Sequence, residues 1–92
     1  MCDSDKAALL VAVESLGRDV ANKAKPDYWA YEDMARATEY ARWLPYLRTA
    51  YRQIKADAPP VAALKALRPV IVTGIERNFL DRCIDLANQF TR

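Results

Sequence analysis

The sequence predicts an all-α fold: a small antiparallel helical bundle of three long helices plus one short helix. Three observations carry this. Apolar residues recur at steps of three and four in separate stretches. Prolines at 26 and at the 59–60 pair interrupt those stretches. The one strand-like run, Val70 to Thr73, has no second run to pair with, and a lone strand leaves its backbone groups unsatisfied.

In the first helix, Leu9, Val13, Leu16, Val20 and Ala24 fall on one face. Ser4 is placed to cap a helix starting at Asp5, whose carboxylate suits the positive end of the dipole, while Lys23 and Lys25 suit the other end. Glu14 with Arg18 and Asp19 with Lys23 form i, i+4 pairs. Gly17 stands in the helix interior at a cost of about 1 kcal/mol against alanine. It marks either a close helix crossing or simple tolerance.

Asp27 is read as the cap of a second helix spanning about 28 to 57. Ala37, Tyr40, Leu44, Leu47, Tyr51, Ile54 and Ala58 give its stripe, which keeps register through Pro45, so one long helix kinked at Pro45 is expected. A short helix is expected over Val61 to Arg68. A final helix, opened by Pro69, is expected to run to about Phe90. Leu64, Leu67, Ile71, Ile75, Phe79, Cys83, Leu86 and Phe90 keep helical spacing across both, which favours helix over strand at Val70 to Thr73.

With 92 residues, 52% hydrophobic, no repeats and no glycine or serine linker, one domain covering 1–92 is expected. The net charge of +2 points to no polyanionic partner by itself. Its distribution is uneven: residues 1–35 carry −3 and residues 36–68 carry +5, a pattern suited to attraction between helices. The first residues do not read as a signal peptide and no stretch is apolar enough to span a bilayer, so a cytoplasmic protein without a membrane partner is expected. Two cysteines, Cys2 and Cys83, form no disulfide framework or metal set, and Cys83 in an apolar stripe is read as a small buried side chain.

The chain has no histidine, which removes the common catalytic triads, the usual base near neutral pH and nearly every catalytic zinc site. Two glycines leave no phosphate-cradling loop. No cofactor, metal or catalytic residue is therefore expected. In size and all-α class the chain is similar to the small helical chorismate mutases, with a cationic end of the first helix and Gln89 as the matching residues. That likeness implies arginine and lysine side chains clamping a dianion, with Arg18, Arg48 or Arg52 pointing inward.

The surface of the second helix is the leading candidate site. At about 100° per residue, Arg48, Arg52 and Lys55 line one edge of its stripe, with Trp43 and Tyr46 on the other and Glu39 and Arg42 beside the aromatics. Tryptophan, tyrosine and arginine together make the composition of protein-binding hot spots. The expected function is a non-enzymatic module that binds a larger protein as adaptor, regulator or inhibitor. Small proteins of phages and mobile elements that block host machinery, defence systems included, are of this kind. Self-association as a homodimer is a variant of the same idea. Nucleic-acid binding through the basic edge of the second helix is the alternative.

Overall fold

The computed structural model describes residues 3–72 and 74–90. It contains α1 (Asp3–Lys23), α2 (Arg36–Lys55), α3 (Pro60–Lys65) and α4 (Gly74–Phe90), with 3₁₀ turns at Pro26–Tyr28 and Tyr31–Asp33 between the first two. The all-α bundle is thus present, and no strand occurs among the described residues.

α1 buries Leu9, Val13, Leu16 and Val20, four of the five stripe positions; the fifth, Ala24, lies in the turn just past its end and is half-buried. It is already helical at Asp3, so Ser4 lies inside the helix instead of capping it. Both expected pairs form on its surface, Glu14 with Arg18 at 2.8 Å and Asp19 with Lys23 at 3.3 Å. α2 runs antiparallel to α1. Lys6 near the start of α1 pairs at 2.6 Å with Asp57 just beyond α2, and the Trp29 indole donates at 2.7 Å to the Lys23 carbonyl at the opposite end. α3 packs on α2. α4 begins against the end of α1 and buries Leu80, Cys83, Ile84 and Ala87 in the same core as the other three helices.

The second helix is shorter than its sequence implies. Residues 26–35 form 3₁₀ turns, Asp27 lies in the first of them and caps nothing, and α2 starts at Arg36 after an Ala35 that makes no side-chain cap. The stripe itself starts only at Ala37, so a helix extended back to 28 has no apolar face to bury. From Arg36 onward α2 is continuous through Pro45. Pro45 and Ala41 are both exposed, so water can serve the Ala41 carbonyl that loses its amide partner, and the Thr49 hydroxyl donates to the Pro45 carbonyl at 2.9 Å. α2 ends in a Schellman motif: the Asp57 amide donates to the Ile54 carbonyl and the Ala58 amide to that of Gln53. Asp57 takes the left-handed position, with φ 66°, that glycine usually fills.

The third region is also corrected. α3 stops at Lys65, residues 66–70 form turns, Ile71 is a bend and Val72 is irregular, so Val70 to Val72 is neither strand nor helix and Pro69 opens no helix; Thr73 lies outside the described residues. The Arg77 guanidinium donates to the carbonyls of Arg68 at 2.9 Å and Ile71 at 3.2 Å, which serves backbone groups that a helix would otherwise pair. The break shifts the phase of the stripe. Leu64, Leu67, Ile71 and Cys83 are buried and Phe79, Leu86 and Phe90 half-buried, but Ile75 is 73% exposed and its neighbour Glu76 is buried instead.

Candidate functional site

An open groove of about 490 Å³ lies between α1 and α2. Val13, Gly17 and Ala21, one helical turn apart, form its α1 wall; Leu44, Leu47 and Tyr51 form its α2 wall. The walls span eight to nine residues, so the apolar floor runs for about 12 Å, or two helical turns. The small side chains at 17 and 21 make it deep. A Cβ placed at Gly17 meets nothing within 4 Å, which answers the question its position poses: no helix crosses there, and the glycine opens onto the groove.

The rim is basic. Arg48 and Arg52, one turn apart, edge the α2 side, and Arg18 and Glu14 edge the α1 side. Glu14 is already engaged with Arg18 at 2.8 Å. Among the described residues no acid reaches ion-pair distance of Arg48 or Arg52, whose only recorded bond is a 3.4 Å contact from Arg52 Nε to the Arg48 carbonyl. The α2 side of the groove therefore presents two uncompensated guanidinium groups beside an apolar channel.

The structure divides the residues singled out on the second helix. Arg48 and Arg52 border the groove and Lys55 is exposed further along the same flank. Tyr46, 53% exposed, lies on the opposite flank, where it lines a smaller cleft of about 310 Å³ between α2 and α3. Glu39 and Arg42 are exposed on that flank. Trp43 does not belong to any contact surface: it is 5% exposed and packed in the core with Leu47 and Ala50. Its ring sits edge-on to Tyr40 at 4.6 Å, Tyr40 stacks on Trp29 at 5.6 Å, and Trp29 meets Tyr28 edge-on at 5.1 Å. This aromatic series runs from the core to the 26–35 connection.

The α1 wall is built by residues that the sequence marked for the core or not at all. Val13 reads as a position of the apolar stripe and Ala21 as an ordinary helix residue, so Gly17 in mid-helix was the one hint of the groove. Arg18, Arg48 and Arg52 do meet round one concavity, as the mutase likeness requires, but on an exposed rim instead of inside a closed pocket.

Where α1 ends and α4 begins, the Lys23 ammonium bonds to Glu76, which is only 2% exposed, and to Asp19. Burial acts to lower the Lys23 pKa, but the bonds to Glu76 and Asp19 outweigh it and raise it above its ordinary value. Burial likewise acts to raise the Glu76 pKa, and the Lys23 bond with the residue's own backbone amide reverses it, so the carboxyl is held low. Both groups stay charged, and neither is free for acid–base work. Burial alone pushes the Cys83 thiol up to about 11; it is a free, buried side chain, while Cys2 lies outside the described residues. No cluster of three or more potential metal ligands and no helix long and apolar enough to cross a membrane occurs among the described residues.

Comparison with protein-family models, with curated proteins and with solved structures finds no match to this chain.

Proposed function

We propose that this chain acts as a non-enzymatic binding module that engages a larger protein, as adaptor, regulator or inhibitor, through the flank of α2 that faces the α1–α2 groove. The observation that carries the reading is the pairing of an apolar floor (Val13, Leu44, Leu47, Tyr51) with the unpaired Arg48 and Arg52 on its edge. An apolar channel rimmed by arginine supports a contact in which buried area supplies affinity and charge supplies orientation. A nucleic-acid backbone uses the arginines but gains nothing from the floor. A homodimer whose twofold axis crosses the groove at right angles opposes the Arg48 and Arg52 edge to its own copy, a like-charge contact, and one whose axis runs along the groove sets that edge against the Glu14–Arg18 pair, which is already satisfied.

The test is recovery of bound protein from a lysate of the source organism, or of its host, with and without nuclease and with Arg48→Glu/Arg52→Glu beside wild type. A stoichiometric protein that survives nuclease and is lost with the double variant is the expected result. Material that vanishes with nuclease moves the function to nucleic acid. A partner held equally by both proteins removes this flank from the interface.

A further inference from the structure

We infer that the occupant of the α1–α2 groove is an acidic amphipathic helix of the partner protein; this rests on the binding-module reading and names what that module recognises. The shape points to a helix. The two walls run along neighbouring antiparallel helices for about two turns, and the channel between them is open at the surface, so it accepts a rod laid along it. One face of the α1–α2 pair is covered by α3 and α4, and the groove is where a further helix of a four-helix arrangement would lie. Gly17 and Ala21, one turn apart, let the incoming backbone or a large apolar side chain approach α1 closely.

The charge decides between kinds of helix. Arg48 and Arg52 repeat at one turn along one edge, so the complement is a pair of Asp or Glu residues also one turn apart on a single flank of the guest. Their fixed spacing sets register, and Leu44, Leu47 and Tyr51 receive guest apolar residues at i, i+3 or i+4, and i+7. On the other edge Glu14 holds Arg18, which leaves that side close to neutral and gives the guest a defined orientation. The recognised element is thus asymmetric: apolar on the buried stripe, acidic on the flank toward α2, indifferent on the flank toward α1.

The experiment is selection from a displayed library of helix-forming peptides with randomised faces, using the full chain as target and Gly17→Trp as counter-target. Enriched peptides are expected to carry apolar residues at helical spacing flanked on one side by two acids four apart. Their affinity, measured by calorimetry, is expected to fall by about tenfold or more with Gly17→Trp, which fills the channel, and with Arg48→Glu/Arg52→Glu. The double variant changes only exposed positions, so circular dichroism matching wild type separates lost binding from lost folding. The inference is overturned by failure to enrich any peptide, by enriched peptides without the acids, or by peptides that bind the folded double variant as well as wild type. Should a natural partner be recovered that binds the double variant normally, both this inference and the flank assigned above fall. A partner that needs Arg48 and Arg52 but contacts them through a strand or loop leaves the module reading standing and removes the helix.

Discussion

The chain's two glycines are expected to respond to alanine with opposite signs. Gly17 occupies a helical site in α1 where an added methyl group meets nothing within 4 Å. Replacing glycine by alanine in a helix interior gains about 1 kcal/mol, mostly because alanine has less backbone freedom to lose. The methyl group is clear of every neighbour, so no overpacking term subtracts from that gain. For a domain of this size about 1 kcal/mol raises Tm by roughly 4–8 °C. Gly74 has φ 81°, and its added Cβ falls 2.9 Å from Glu76 Oε2. The left-handed backbone alone costs alanine about 1–2 kcal/mol. Moving the Glu76 carboxylate aside also disturbs its bond to Lys23, so Gly74→Ala should lower Tm by more than Gly17→Ala raises it. Urea unfolding followed by circular dichroism reads both variants, with m values confirming that only stability has changed. A Gly17→Ala variant less stable than wild type refutes the open groove, because only an element packed over position 17 produces a penalty there.

Further outcomes follow from the same contacts. Glu76→Gln leaves Lys23 with Asp19 alone in a largely buried setting and is expected to cost about 3 kcal/mol, read by chemical denaturation; Glu76→Leu combined with Lys23→Met should recover most of it. Since the folded Glu76 pKa lies below its ordinary 4.5, its contribution is present above pH 4.5 and is lost as pH falls through the depressed value; Glu76→Gln should therefore flatten the acid limb of stability against pH. In a Cys2→Ser background Cys83, buried and with its thiol pushed up to about 11, should react with a thiol reagent at pH 8 only as fast as the protein opens, and urea should accelerate labelling. Arg77→Ala removes two bonds to the carbonyls of Arg68 and Ile71 and should lower stability by about 1–2 kcal/mol, with hydrogen exchange rising first in residues 66–72.

The sequence was most legible where one face carried an unbroken apolar stripe. In α1 the spacing from Leu9 to Val20 matched the core, and both surface ion pairs formed where i, i+4 spacing placed them. The start of α2 was misread because Asp27 is a good local signal for a helix N-terminus, and such a signal cannot report whether a helix has a face to bury. At 66–72 a continuous 3.6-residue period was carried across a break in the helix, so the half before it was in phase with the core and Ile75 after it was not. Glu76 had no sequence signal at all. An acid in a helix's first turn is ordinarily solvated, and its burial depends on Lys23, 53 residues away.

The candidate site was legible on one side only. Helical geometry put Arg48, Arg52 and Lys55 on a common edge, and they are exposed there. The same geometry put Trp43 at the stripe's margin, but an indole is large enough to reach the core from the margin, and Tyr40 meets it there. The other wall was invisible because small residues look alike whether they let a helix cross or leave a channel open. Gly17 is where the two levels of description conflict. Alanine fits its backbone and its surroundings and favours the helix, so neither local structure nor packing accounts for a glycine in mid-α1. A local rule broken without compensating packing is the mark of a functional position. Here what alanine removes is depth in the channel beneath Arg48 and Arg52. On that reasoning Gly17→Ala, the stabilised variant, should also bind the groove's occupant more weakly than wild type, and equal binding by the two would return Gly17 to simple tolerance.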